Sequence, residues 1–217
     1  MINSVMNNQE SEEMKKDNDK NVDEHAGMSM NGHILIRDKE TGEELVNKRN
    51  AIHYGNMANL VANALNNQSQ SYVHFMAFGN GGSSVDTAGK VIYKSPRVSE
   101  SFEASADLYS RSYSKVISAA ASNPATDKIE VVAGSSFTDL KITCTLGYAE
   151  PADQDLFDSS TDNDGNYVFD ELGLYSYPTD GTNITTSKML THVVFHPVQK
   201  SQNRIIEIIY TVRIQLS

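Results

Sequence analysis

The sequence predicts a mainly β protein: an antiparallel, jelly-roll-like β-sandwich with one amphipathic helix and an extended N-terminal arm. Apolar and polar residues alternate from position 206 to 216, and such alternation buries one face of a strand and leaves the other in water. Several further short apolar runs lie between turn-forming residues, as is typical of sandwiches and barrels. One segment, 51–66, has apolar residues at helical spacing.

The 217 residues divide into a predicted arm, 1–32, and a predicted β-sandwich domain, 33–217. The arm is polar and charged with almost no aliphatic residues. Alone it cannot bury enough apolar surface to offset the entropy of ordering, so we expect it to be extended or disordered in an isolated subunit. The remaining domain, of about 185 residues, can bury roughly 70% of its unfolded surface without disulfides.

Composition argues against several classes of function. The net charge is −10, and an acidic surface disfavours binding to nucleic acid or to anionic lipid. The chain contains no apolar run of about 18 residues, so we expect no membrane-spanning helix. The single cysteine, Cys144, cannot form an internal disulfide, which fits folding in a reducing cytoplasm.

The first elements are a predicted hairpin and the predicted helix. Two short strands, 33–37 and 44–46, flank a turn that contains Gly42. The helix follows at about 51–66, where Asn50 can cap its first turn. Its apolar stripe predicts that it covers one end of the sandwich.

The rest of the domain is predicted to consist of strands. Their predicted ranges are 72–78, 91–93, 111–118, 128–132, 140–146, 167–175, 189–195 and 205–216. In the strand 140–146 the alternation places Cys144 on the inner face, so we expect a buried, unreactive thiol. The strand 189–195 is expected to end before Pro197.

A glycine-rich segment, Gly79-Asn80-Gly81-Gly82, begins a predicted loop that reaches Lys90. A phosphate-binding loop of the Walker type needs Gly at position 84 and Ser or Thr at position 91, where Ser84 and Val91 stand. The sequence therefore favours a flexible loop whose glycines take positive φ angles.

One acidic segment resembles a calcium loop. Aligned with the EF-hand pattern, Asp162, Asp164 and Glu171 fall at ligand positions. Ser160 occupies the first position, where the pattern has Asp, and the flanking helices are missing. A hairpin turn at 163–165 is the favoured interpretation, and calcium binding by these three residues is the alternative.

No motif predicts an enzyme. His192 and His196 are four residues apart, but they lie in a predicted strand, which would place both on one face without a recognisable third metal ligand. We favour a structural or interface role for this pair. The sequence lacks the common nucleophile and zinc signatures, so we predict no catalytic residues and no cofactor.

Three blocks of residues carry a resemblance to a known class of protein. The first is 46–53 (Val-Asn-Lys-Arg-Asn-Ala-Ile-His), and the second is 78–82 (Phe-Gly-Asn-Gly-Gly). The third comprises 171–174 (Glu-Leu-Gly-Leu), 190–192 (Leu-Thr-His), 200–201 (Lys-Ser) and 210–214 (Tyr-Thr-Val-Arg-Ile). Through these blocks residues 33–217 resemble structural proteins of the virions of tailed bacteriophages, of the T-even-like, contractile-tailed marine type.

The resemblance implies a non-enzymatic virion subunit of the tail, baseplate or neck that assembles with copies of itself and with other virion proteins. It implies no catalytic residues. Two alternatives remain: a decoration protein of the capsid, and a calcium-dependent carbohydrate-binding module for host recognition.

The charged part of the arm is the predicted contact with partner subunits, because an acidic and basic mixture can pair with a groove on a neighbour. The residues concerned are Glu10, Glu12, Glu13, Lys15, Lys16, Asp17 and Asp19.

Overall fold

The computed structural model describes residues 27–98, 106–152 and 167–216. Within them the protein is mainly β, with a strongly curled antiparallel sheet and a single α-helix, as the sequence predicts. Residues 1–26 of the predicted arm lie outside the described residues. The first strand begins at Met28, so positions 28–32, which we assigned to the arm, belong to the sheet.

In the described ranges, nine strands form the main sheet, in the order β6-β3-β9-β10-β2-β1-β11-β8-β7, and β4 and β5 form a separate hairpin. The strands in chain order are β1 (Met28–Asp38), β2 (Glu44–Ile52), β3 (Val73–Gly79), β4 (Ser83–Val85), β5 (Val91–Tyr93), β6 (Arg111–Val116), β7 (Lys128–Ala133), β8 (Thr138–Leu146), β9 (Tyr167–Ser176), β10 (Thr191–Lys200) and β11 (Ile206–Leu216). The predicted strands are all present, and β4 is an addition.

Strand β11 lies inside the sheet, between β1 and β8. Its even-numbered residues Ile206, Ile208, Tyr210 and Val212 are buried in the main apolar core, which confirms the predicted alternation. Cys144, in β8, lies opposite Ile208 of β11 and is fully buried. This burial raises the pKa of its thiol. The predicted burial of this thiol is therefore confirmed.

The sheet curls until β6, at one end, reaches β8 near the other end. The Nζ atom of Lys115 in β6 donates to the carbonyl of Thr145 at 2.6 Å and to Glu150 at 2.6 Å, and lies 3.0 Å from Asp127 Oδ2. Burial lowers the pKa of Lys115, but the bonds and charges from Glu150 and Asp127 outweigh it and raise the pKa overall. These contacts fasten the two ends of the sheet across the core.

The helix α1 spans Tyr54–Leu65, and its cap differs from the prediction. His53 is the N-cap residue: its Nδ1 accepts a hydrogen bond from the backbone N–H of Asn56 at 3.2 Å. The predicted cap, Asn50, is wrong because β2 continues to Ile52, and Asn50 instead donates to the hydroxyl of Tyr210. None of the helices within the described ranges has the length and apolarity that crossing a bilayer requires.

Strand β10 continues past Pro197 to Lys200, which corrects the predicted end of this strand. Its pairing with β9 is irregular between Val194 and Val198. Proline has no N–H group to donate to a neighbouring strand, so an irregularity in the ladder accommodates it.

The turn between β1 and β2 is held by Asp38. Its Oδ1 accepts hydrogen bonds from the backbone N–H groups of Glu40 and Thr41, both at 2.9 Å, and its Oδ2 accepts from Nε of Arg204 at 2.7 Å. The bonds from Thr41 and Arg204 stabilise the carboxylate and lower the pKa of Asp38 to about 2.

The depressed pKa of Asp38 predicts a specific loss of stability in acid. Because the folded state binds the proton more weakly, this contribution is fully present above pH 3.8 and is lost as the pH falls toward about 2. Urea unfolding across this range should show the wild type more stable than Asp38→Asn at neutral pH, with the difference shrinking in acid. A difference independent of pH would contradict the assignment.

The burial pattern predicts that truncating a side chain lowers the free energy of unfolding strongly only where that side chain lies in the core. Leu146 is fully buried, so Leu146→Ala should lower the free energy of unfolding by about 2–5 kcal/mol. The control is Leu65→Ala, because Leu65 is 84% exposed and a surface truncation should change stability by less than about 0.5 kcal/mol. Equal effects in chemical denaturation would show that the core is placed incorrectly.

Candidate functional site

Glu171 is a fully buried carboxylate within β9. Its Oε1 accepts hydrogen bonds from the backbone N–H groups of Gly81 at 3.1 Å and Ser110 at 2.8 Å. Its Oε2 accepts from the N–H of Tyr109 at 3.0 Å and from Nε2 of His192 at 2.9 Å. Burial raises the pKa of Glu171, but the bonds from His192, Ser110 and Tyr109 outweigh it and hold the pKa below its ordinary value.

His192, in β10, is also fully buried, and its two ring nitrogens have different roles. Nδ1 accepts a hydrogen bond from the backbone N–H of Arg97 at 2.9 Å, so Nδ1 carries no proton. The proton is therefore on Nε2, which donates to Glu171. This pair is a neutral imidazole beside a carboxylate, and it holds one buried negative charge.

Asp170 provides a second set of acceptors beside Glu171. Its Oδ1 accepts from the N–H of Gly82 at 2.9 Å, and its Oδ2 accepts from the N–H of Ser83 at 2.6 Å and from the Ser83 hydroxyl at 2.5 Å. Consecutive amides from Gly81 to Ser83 thus bind two adjacent carboxylates. We name this set of contacts, together with His192, the Glu171 centre.

The glycines of residues 79–82 do not have the positive φ angles that we predicted; in this loop Gly89 does, with φ of +80°. Glycine is needed at positions 79 and 82 because the backbone there passes too close to neighbouring atoms to leave room for a side chain. A Cβ atom on Gly79 would lie 2.6 Å from Oε1 of Glu171, and one on Gly82 would lie 2.9 Å from Val194 Cγ1. Close approach to the Glu171 centre, rather than flexibility, explains these glycines.

The chain that follows β5 returns to the same centre. Lys94 donates from its backbone N–H to the carbonyl of Gly82 at 2.8 Å, and its Nζ lies 4.5 Å from the centre of the Tyr109 ring. The hydroxyl of Tyr109 donates to the carbonyl of Ser95 at 2.9 Å, and the Arg97 guanidinium lies 5.4 Å from the same ring. Both ends of the β4–β5 hairpin are therefore fastened to one buried site.

The fastened hairpin exposes apolar side chains. Val85 is 66% exposed, and Ile92 and Tyr93 are each 49% exposed. The Tyr93 hydroxyl lies 3.1 Å from Nδ1 of His196, which connects the hairpin to the outer surface of β10. The register places Val85 and Tyr93 on one face of the hairpin and Ile92 on the other. Because the hairpin is held at both ends, these positions are fixed, which lowers the entropic cost of docking to a partner. We name Val85, Ile92 and Tyr93 the hairpin patch.

Parts of the three blocks named in the sequence lie at or next to this site. Gly81 belongs to the second block, and both Glu171 and His192 belong to the third. From the first block, Ala51 pairs with His192 across β2 and β10, and the backbone N–H of His53 donates to the Leu190 carbonyl at 2.9 Å. Segments far apart in the sequence thus build one buried centre.

The calcium and arm predictions fall mostly on residues that are not described. Asp162 and Asp164 lie outside the described ranges, as do the arm residues Glu10, Glu12, Glu13, Lys15, Lys16, Asp17 and Asp19. Glu171 is described, and both of its carboxylate oxygens already accept hydrogen bonds from the protein. Within the described ranges, no group of three or more His, Cys, Asp or Glu side chains is placed to hold a metal ion.

His192 and His196 lie on the same face of β10, as predicted, but they differ in burial. His192 is buried against Glu171, whereas His196 is exposed and contacts Tyr93. Val194 lies on this same face, toward Gly82, whereas Val193 and Phe195 are buried in the main core, so the side chains of this part of β10 alternate as the sequence predicts.

Sequence reasoning missed the partners of Glu171, although it contained a signal for them. Asp170 and Glu171 are adjacent charged residues within an otherwise apolar strand, and buried carboxylates require donors. For Glu171 the backbone donors are the amides of Gly81, Tyr109 and Ser110, whose location depends on the folded path of the chain. Comparisons with models of protein families, with curated proteins and with solved structures find no match to this chain.

The geometry predicts that Glu171→Gln is strongly destabilising. Each carboxylate oxygen faces two N–H donors, so either orientation of the amide places its NH2 group against two other donors. We expect the free energy of unfolding to fall by about 3 kcal/mol. Urea denaturation monitored by circular dichroism measures this change.

The matched control is Glu130→Gln. Glu130 is 43% exposed and pairs with Lys128 on the surface of β7, so its substitution should change stability by less than about 1 kcal/mol. If the two variants were equally stable, the Glu171 centre would not have the structural role described here.

Proposed function

We propose that this protein is a non-enzymatic structural subunit of a tailed-phage virion, located in the tail, baseplate or neck. It folds in the cytoplasm of the host and joins other virion proteins and copies of itself. Its β domain supplies the folded contact surfaces, and its acidic N-terminal arm supplies an additional contact with neighbouring subunits.

The placement of parts of the three blocks at or next to the Glu171 centre carries this proposal. These blocks are the segments through which the chain resembles phage structural proteins, and the same segments supply the buried carboxylate, its histidine and the close-packed glycines. Residues in such a polar network depend on one another, because an unmatched donor or acceptor is costly when buried. A resemblance through these residues therefore supports a common scaffold rather than a shared catalytic site.

The hairpin patch supports an assembly role for that scaffold. Its apolar side chains are exposed, yet the hairpin that carries them is anchored at both ends to the Glu171 centre. An exposed and rigid apolar group fits a contact that becomes buried when subunits associate. In this proposal the buried polar groups are structural, and the hairpin meets the neighbouring subunit.

The location in the particle is tested by fractionating purified virions and labelling the protein with gold. The proposal predicts that the chain is present in the virion and that the label lies on the tail, baseplate or neck. Label on the head would support the alternative of a capsid decoration protein, and absence from purified particles would end both proposals.

The role of the hairpin patch is tested with Ile92→Lys. A lysine buried at an apolar contact without a partner is costly, so incorporation of the variant into particles should fall at least about tenfold, which corresponds to about 1.4 kcal/mol. Complementation with the variant, followed by quantitative immunoblotting of purified virions, measures this loss. The isolated variant should keep the wild-type unfolding free energy within about 0.5 kcal/mol, because Ile92 is half exposed.

The matched control is Val131→Lys in the edge strand β7, since Val131 is also exposed. It introduces the same charge on a different surface and should be incorporated normally. Normal incorporation of Ile92→Lys, or equal losses for both variants, would contradict a specific role for the hairpin patch.

A further inference from the structure

A second buried cluster, separate from the Glu171 centre, brings an amine against a carboxylate. The side chain of Lys115 is 9% exposed and that of Asp127 is fully buried, and 3.0 Å separates Nζ from Oδ2. Oδ1 of Asp127 accepts a hydrogen bond from the backbone N–H of Thr145 at 2.8 Å. Oδ2 forms an ion pair with this amine, but among the described residues no donor reaches it with regular hydrogen-bond geometry.

Glu150 completes the cluster. Its Oε2 accepts from Nζ of Lys115 at 2.6 Å and from the backbone N–H of Gly147 at 3.0 Å. The carboxylate of Glu150 is about one-third exposed, so it can exchange protons with solvent while it contacts the buried amine. The cluster therefore contains an amine, a buried carboxyl group, a proton acceptor for the amine and an N–H donor for the carboxyl oxygen.

We propose that Lys115 and Asp127 condense to an intramolecular amide bond that joins β6 to the beginning of β7. The site is one of covalent self-modification, and it needs no other substrate or cofactor. This inference does not depend on the proposed virion function, since it follows from the arrangement of Lys115, Asp127, Glu150 and Thr145.

The reaction balances within the cluster. A proton moves from the Lys115 ammonium to Glu150 and then to Asp127, which leaves a neutral amine and a neutral carboxylic acid. The Nζ lone pair attacks Cγ of Asp127 and forms the C–N bond, while the Thr145 N–H stabilises the negative charge that develops on Oδ1. The Cγ–Oδ2 bond then breaks, and Oδ2 leaves as water with one proton from the acid and one from the amine.

The surroundings favour this product. Burial disfavours charged forms relative to neutral ones, so the neutral amide relieves the cost of keeping both groups ionised. Expulsion of Oδ2 as water also removes a buried oxygen whose contact with the Lys115 amine lacks regular hydrogen-bond geometry. Because β6 and β7 are the two outer strands of the nine-stranded sheet, the bond would close the curled sheet covalently.

Mass spectrometry of the intact, full-length protein tests the proposal directly. The bond removes one water, so the wild type should be about 18 Da lighter than its sequence mass. Trypsin gives a second readout, because it cleaves after lysine and Lys115 would be modified. We expect one peptide, 112–128, that is lighter by one water, in place of the two peptides 112–115 and 116–128.

Variants separate the amide from other losses of water. Lys115→Arg should show its full sequence mass, and Glu150→Gln should keep most of its molecules at full mass because the proton acceptor is removed. Lys128→Arg is the control and should retain the loss, since Lys128 pairs with Glu130 outside the cluster. Tandem fragmentation of peptide 112–128 should place the link between Lys115 and Asp127.

The wild-type measurement decides the matter even if a variant fails to fold. A full sequence mass with normal cleavage after Lys115 would overturn the proposal. So would a loss of one water in a peptide 116–128 that is still released by trypsin, because that result indicates cyclisation of the Asp127 backbone rather than a bond to Lys115.

Discussion

The fold around β9 depends on one buried negative charge. A carboxylate removed from water must be compensated by hydrogen-bond donors, because the cost of leaving it unpaired exceeds the stability that single contacts supply. Glu171 receives its donors from Gly81, Tyr109, Ser110 and His192. These residues belong to separate segments of the chain, so satisfying one charge fixes the path of all of them.

The consequences extend outward from this charge. Glycine is required at positions 79 and 82 because the backbone passes within contact distance of Glu171 and Val194, and the N–H of Arg97 sets the proton of His192 on the nitrogen that faces Glu171. The β4–β5 hairpin begins and ends in these contacts, and its apolar residues therefore face solvent in a defined position. Lys115 fastens the opposite side of the curled sheet in a similar way, with acceptors from two other segments.

Local patterns in the sequence were enough to predict most of the strands. Alternation in β8 and β11 is a property of each strand alone, and it predicted the burial of Cys144 and Tyr210. The predictions failed where contacts with residues far away in the sequence determine the local structure. Asn50 can cap a helix in isolation, but the continuation of β2 directs it to Tyr210. The glycine segment has the composition of a flexible loop, and only the location of Glu171 shows that close approach is the reason for it.

Amide hydrogen exchange of the native protein is the most direct test of this account. The N–H groups of Gly81, Tyr109 and Ser110 lie outside the sheet ladders but bind the buried carboxylate of Glu171. We predict that they exchange as slowly as the amides of β11, through global unfolding. Exchange at the rate of an open loop, with β11 still protected, would contradict the claim that one buried charge organises this part of the fold.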